Sequence, residues 1–248
     1  MKKSILIVLT IMLCVAGLSL TSCKNTSGED AEAQKNRPLV NQFNDSRQIL
    51  ILGNSFVGSS QVGDFLNDML LQADSDYRVT AISRGFATVE TYATDPEIMK
   101  EIEEGKYCCV FQCGFYYESE IEHYKTIKDA CRKSDTAIMA FPAHNEIKDV
   151  VRKLRETEDC LDWQEELEAL MRANVSHNVT LWDFCMMDEF KHSTPLAGYV
   201  GAHMIYRRIF GEIPPSLSDN APLTMEYIKE QLTHYPETGI IGPLNDPE

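Results

Sequence analysis

Five short apolar runs, each closed by turn residues, alternate with stretches of helical periodicity, and this alternation restricts the fold more than any other feature of the chain. The runs are Ile49–Leu52, Tyr77–Ile82, Tyr107–Phe111, Thr136–Phe141 and Val179–Phe184. They are rich in Ile, Val, Phe, Tyr and Cys with little polar alternation, the pattern of strands buried on both faces. Apolar residues at helical spacing lie between and after them: Val62, Phe65, Leu66 and Met69; Trp163, Leu167, Leu170 and Met171; Tyr199, Ala202, Tyr206 and Ile209; Met225, Ile228, Leu232 and Tyr235. Such stripes are core faces. Strand and helix in alternation predict an α/β fold, a three-layer α/β/α sandwich with a mainly parallel five-stranded sheet. Sites in open sheets of this kind lie beyond the carboxyl ends of the strands. Chemistry is therefore expected in the residues that follow each run.

The ends of the chain read differently. Lys2 and Lys3 precede an apolar stretch from Ile5 to Leu20, too short for a comfortable membrane span, and Leu20-Thr21-Ser22-Cys23 closes it. This closing tetrad resembles the lipobox of bacterial lipoproteins. The resemblance implies cleavage before Cys23, lipidation of that residue, export, and anchoring to a bacterial membrane at its periplasmic or cell-surface face. Residues 1–22 are then a signal peptide. Residues 23–46 are polar, poor in large apolar side chains, and read as a tether. One domain is expected over 47–236, with a tail over 237–248.

The formal net charge is −15 over 248 residues. Such a chain repels phosphates, which argues against nucleic acid as a partner over any broad face. After Cys23 six cysteines remain: Cys108, Cys109, Cys113, Cys131, Cys160 and Cys185. Cys108 and Cys109 are neighbours on one expected strand and point to opposite faces, so they are poor disulfide partners. The set reads as mostly buried thiols with at most one bridge.

The ends of the runs carry Gly53-Asn54-Ser55-Phe56, Arg84-Gly85-Phe86-Ala87-Thr88, Gln112-Cys113-Gly114-Phe115-Tyr116 and Asp188-Glu189-Phe190-Lys191-His192. A serine after the first strand and a histidine beyond the last can converge above the sheet. A hydroxyl is a weak nucleophile until a base takes its proton, and the base needs an acidic partner to orient it. Each residue also has a plainer explanation. Ser55 suits a helix N-cap, Gly85 suits a turn with positive φ, and His192 suits an exposed loop. His144 follows the fourth run and is a candidate substrate contact, as is Asn54. His144, Glu146 and His192 have no spacing diagnostic of a metal, and neither metal nor cofactor is expected.

These blocks resemble the SGNH/GDSL hydrolase superfamily over roughly residues 47–211. ILILGNSF is similar to the opening strand and G-[DN]-S turn, Gly85 to the second-block glycine, and HSTPLAGYVGAHMIYRRIFG to the histidine turn entering the final helix. The resemblance implies Ser55 as nucleophile, His192 as base, and an oxyanion hole from the N–H groups of Ser55 and Gly85. Two features depart from the pattern. The usual acid three residues before the histidine is Asp, whereas here Glu189 stands there with Asp188 beside it. Either can reach the imidazole, Asp188 being favoured. The third-block Asn is missing, because the matching stretch is Gly114-Phe115-Tyr116, leaving Gln112 or Tyr116 to supply the donor. Exported members of the superfamily often deacetylate carbohydrates, so the expected reaction is hydrolysis of a small ester, an O-acetylated glycan among the candidates. The alternatives are a glycan-binding lipoprotein without catalysis, motivated by the missing Asn and the displaced acid, and an assembly lipoprotein with a protein partner.

Overall fold

The computed structural model describes residues 38–143, 146–173, 179–185 and 191–238. The strands are β1 (Gln48–Gly53), β2 (Arg78–Ser83), β3 (Cys109–Gln112) and β4 (Ala137–Ala140). They form one sheet in the order β2-β1-β3-β4, and every pairing is parallel. The helices are α1 (Ser55–Ser60), α2 (Val62–Gln72), α3 (Val89–Ala93), α4 (Pro96–Glu103), α5 (Glu120–Lys133), α6 (Lys148–Thr157), α7 (Trp163–Ala173), α8 (Leu181–Phe184), α9 (Pro195–Phe210), α10 (Met225–Gln231) and α11 (Tyr235–Thr238).

Alternate residues of each strand serve opposite layers, as the pleat requires. Ile49, Ile51, Cys109, Phe111 and Met139 pack with the apolar faces of α1, α2, α7 and α9. Leu50, Leu52, Val110 and Ala140 pack with α3, α4, α5 and α6. The result is the expected α/β/α arrangement, with β1 buried between two helical layers.

Local chemistry sets the helix ends. Asp95 caps α4, its Oδ1 accepting the N–H groups of Glu97 and Ile98, with Pro96 at the first helical position. Thr194 and Pro195 open α9 in the same way, and Gly211 closes it at φ 73°.

The sheet has four strands among the described residues, not five. The fifth run, Val179–Phe184, contains the helical turn α8 instead. Thr180 and Asp183 bind each other there. The Asp183 carboxylate accepts both the Thr180 N–H (2.5 Å) and its hydroxyl (2.9 Å), which fixes a turn where a strand would need extended backbone. A second departure concerns β2. Among the described residues it is an edge strand paired only with β1, and it is largely exposed, not buried on both faces.

The described fold also begins before the expected domain start at Arg47. Leu39 is buried in a 3-10 turn (Leu39–Gln42). The amide of Asn44 reaches the carbonyls of Tyr107 and Ser134, both at 3.0 Å. Cys108, Cys109, Cys113, Cys131, Cys160 and Cys185 are all unbridged, and all but Cys160 are buried. No helix among the described residues is long and apolar enough to cross a membrane. The expected signal peptide, Cys23 and most of the tether lie outside the described residues.

Candidate active site

A cavity of about 420 Å³ opens at the carboxyl end of β1, where an open parallel sheet is expected to place a site. Asn54, Ser55, Phe56, Gly85, Thr88, Tyr116 and His192 line it, with Phe86 and Tyr117 among the exposed aromatics at its edge.

The serine turn is built by its neighbour. Asn54 has extended backbone and is the N-cap of α1, its Oδ1 accepting the Phe56 N–H at 3.0 Å. Ser55 is thus the first residue of the helix and not its cap, so the plainer explanation of this serine fails. Its hydroxyl bonds to none of the described residues. As the first residue of a helix, Ser55 also has an N–H with no intrahelical acceptor. Gly85 lines the same cavity, and its N–H makes no backbone bond among the described residues. Both residues expected to supply oxyanion donors therefore line the cavity, and neither N–H makes a backbone bond among the described residues. Gly85 is not glycine for want of space, since an added Cβ would meet nothing within 4 Å. Positive φ falls on the next residue, Phe86, at 60°. An αL conformation costs a non-glycine residue about 1 kcal/mol, and this one holds an aromatic ring 83% exposed at the cavity.

His192 arrives from the far end of the chain. Lys191 turns the backbone at φ 51°. Ser193 bridges Cys185, and Thr194 donates its N–H to Phe184 (3.0 Å) and its hydroxyl to Asp183 (2.6 Å). The histidine segment is thereby fixed to α8, and the imidazole lies 5.4 Å from the Phe56 ring, centroid to centroid. So the missing fifth strand is replaced by a helical turn that still delivers the histidine to the serine turn.

The remaining candidates divide. Tyr116 lines the cavity, and its hydroxyl accepts a hydrogen bond from Asn54 Nδ2 at 2.7 Å, leaving its own proton free to donate. Burial, reinforced by the Glu146 carboxylate, holds this phenol well above its ordinary value, so it stays protonated. Gln112 is not at the cavity. It is fully buried, and its amide nitrogen bonds to the Cys113 carbonyl. Of the two donors offered in place of the missing Asn, Tyr116 lines the cavity and Gln112 does not. Asn54 lines the cavity but is 1% exposed, and its amide is engaged by Phe56 and Tyr116, so it shapes the serine turn. Asp188, Glu189 and His144 lie outside the described residues. Among the described residues no cluster of His, Cys, Asp and Glu is arranged to hold a metal ion.

No protein-family model matches this chain, and no curated protein does. Similar folds occur among solved structures. One is a gut microbial diltiazem-metabolizing enzyme, 15% identical, with a TM-score of 0.46 over 67% of this chain and 47% of that one. This chain spans about half the length of that enzyme. Another is a lipolytic protein of the G-D-S-L family from Desulfitobacterium hafniense, 13% identical, TM-score 0.47, covering 66% of this chain and 99% of that one. A third is a DUF4886 family protein from Bacteroides uniformis, 12% identical, TM-score 0.49, covering 75% and 92%. Similarity at this level concerns the chain's course alone, and no activity passes from these proteins to this one.

Sequence reasoning missed Glu146 as a structural partner of the site. Its carboxylate is buried and accepts the N–H groups of Gly114 (2.7 Å), Phe115 (3.0 Å) and Ala143 (3.0 Å). Burial pushes it up to about 7, against the pull of those three donors. Its only signal in the sequence is an acid three residues beyond the apolar stretch Phe141-Pro142-Ala143.

Proposed function

We propose that the chain is a serine esterase that hydrolyses a small carboxylic ester through an acyl-enzyme on Ser55. The observation that carries this reading is the juxtaposition of Ser55 and His192 on one cavity, with the serine hydroxyl unengaged by the described residues and Asn54 capping the helix in its place.

In the first half-reaction Ser55 Oγ attacks the ester carbonyl as His192 accepts the hydroxyl proton. The carbonyl oxygen becomes an oxyanion facing the N–H groups of Ser55 and Gly85 and the Tyr116 hydroxyl. Collapse breaks the bond to the alcohol, which leaves with the proton from His192. Water, deprotonated by the same imidazole, then attacks the acyl-enzyme and releases the acid and free Ser55. Asp188 or Glu189 is the partner assigned to orient the imidazole. The substrate class assigned first is an O-acetylated carbohydrate. Lipidation at Cys23, with anchoring to a bacterial membrane, completes the proposal.

The test is hydrolysis of p-nitrophenyl acetate by the purified chain beside Ser55→Ala and His192→Ala, with labelling by a fluorophosphonate probe. Activity and labelling that both substitutions reduce by about 10³-fold or more support the mechanism. A chain inert to ester and probe alike refutes it. Glycan binding without catalysis, favoured by Phe115-Tyr116 standing where the Asn would be, is then the reading to test.

A further inference from the structure

Glu146 sits where the ends of β3 and β4 meet, outside the cavity lining. Its Oε1 accepts the N–H groups of Gly114 and Ala143, and its Oε2 accepts that of Phe115. The next residue, Tyr116, has its hydroxyl bound by Asn54 Nδ2 at 2.7 Å. Asn54 Oδ1 in turn holds the Phe56 N–H at the start of α1. A continuous line of hydrogen bonds and one short loop therefore runs from a buried acid to the turn that presents Ser55. The loop fits closely at its other side. Gly114 has φ 104°, and an added Cβ would lie 3.1 Å from the Thr88 backbone.

A buried carboxylate is costly to the fold unless a cation pairs with it. Among the described residues none does; every partner of Glu146 is a backbone N–H. A neutral side chain in well-packed surroundings would be the more stable choice, so the acid has a use beyond packing.

We propose that Glu146 is a positioning residue, whose carboxylate clamps the Gly114–Tyr116 loop so that the Tyr116 hydroxyl is aimed at the oxyanion site, and whose ionisation sets how firmly the loop is held. This rests on the reading of Ser55 as nucleophile. A protonated carboxyl keeps the two bonds on Oε1 but places a hydrogen on the oxygen that serves Phe115, so the clamp loosens when the acid takes up a proton. Burial moves that event to about pH 7. The titratable groups facing it are Cys113 and Tyr116 on the same loop, both held protonated by burial, and Asp162 ahead of α7, which pairs with Arg155. Neighbouring His144 lies outside the described residues.

The test uses the full chain, with Glu146→Gln and Tyr116→Phe. Hydrogen–deuterium exchange of the peptide spanning 113–116 is followed from pH 5.5 to 9, corrected for intrinsic exchange, beside kcat and KM for p-nitrophenyl acetate. In the unaltered chain protection of this peptide is expected to rise about tenfold through pH 7, and this arm needs no variant. Glu146→Gln removes that rise. It also lowers kcat about 10- to 100-fold, with KM within about twofold, and deletes the one limb of the pH–rate profile that the unaltered chain has beyond that of the base. Tyr116→Phe, which keeps the core acid, lowers kcat similarly while leaving the pH-dependent protection in place. An active chain whose 113–116 protection ignores pH, or whose Glu146→Gln profile is unchanged, overturns the clamp and leaves the esterase standing. A chain inert to ester but with pH-dependent protection fails the esterase reading and keeps Glu146 as the clamp.

Discussion

Gly198 lets α9, which follows the His192 loop, pack closely on α1, which begins at Ser55. It lies in the first turns of α9, against the end of α1. A Cβ at this position would stand 1.8 Å from the Ser60 carbonyl oxygen and 2.7 Å from its carbon. Both atoms are backbone at a helix end, so no rotamer change relieves the clash. The helices must part by about 1.2–1.6 Å to bring the 1.8 Å contact into the 3.0–3.4 Å range. Overpacking of this kind costs about 1–3 kcal/mol, and a backbone obstacle places Gly198→Ala at the upper end. Alanine's better helix propensity returns about 1 kcal/mol. The net loss is about 2 kcal/mol, which for a domain of this size lowers Tm by about 4–8 °C. A 1 Å displacement of base from nucleophile costs on the order of 10²-fold in rate. Thermal unfolding by circular dichroism and hydrolysis of p-nitrophenyl acetate measure the two effects. Gly85→Ala is the stability control, because its added Cβ meets nothing within 4 Å, and its Tm is expected to stay close to that of the unaltered chain. A Gly198→Ala Tm equal to or above that of the unaltered chain would refute the close approach of α9 to α1.

Other residues give independent tests. Phe86→Gly removes an exposed ring and an αL penalty of about 1 kcal/mol, which glycine's greater unfolded-state entropy offsets by about 0.5–1 kcal/mol. Tm should move by less than about 2 °C while KM rises roughly fivefold at constant kcat; an unchanged KM means the ring does not meet substrate. His203 is fully buried, and neither ring nitrogen has a partner among the described residues. Burial, with Arg207 nearby, depresses it to about 3. Because its folded value lies below its unfolded one, the unfolded chain takes up the proton first, and stability falls as pH drops from about 6.5 towards 3. His203→Phe should raise stability by about 1 kcal/mol and flatten that acid limb, and a lower Tm at pH 7 would count against it. Glu166 shifts the opposite way, up to about 7 by burial, which outweighs the attraction of Arg207. Its contribution is complete below about pH 4.5 and is lost as pH rises through 7, on the order of 3 kcal/mol. Denaturant titration of Glu166→Gln at pH 5 and 8 should show a gap between the two pH values smaller than in the unaltered chain.

The parts of this fold legible in the sequence are those fixed by neighbours along the chain. The bounds of α9 follow from Thr194-Pro195 at one end and Gly211 at the other, and the burial of β1 follows from four apolar residues in a row. The fifth run has the apolar content of a strand, but its polar pair opposes one. Thr180 and Asp183, three apart, are the spacing of a helix start, and an acid at that point suits a turn better than a buried strand. The exposure of β2 had no local signal, since edge or centre is decided by which strands pair, and β2 finds only β1. Gln112 shows a related limit. Its distance along the chain from the site is right, but it is still within β3, and its side chain belongs to the packed interior. Tyr116, beyond the strand end, is free of the pleat and can turn to the cavity. Glu146 was hidden for a further reason. Its three partners come from the loops after β3 and β4, so its meaning exists only once those strands lie side by side. Local chemistry thus announces the Ser55 turn, whereas the groups packed around it emerge only from the pairing of β1, β3 and β4 and the docking of α9 on α1, and it is these supporting groups that the substitutions at Gly198, Tyr116 and Glu146 interrogate.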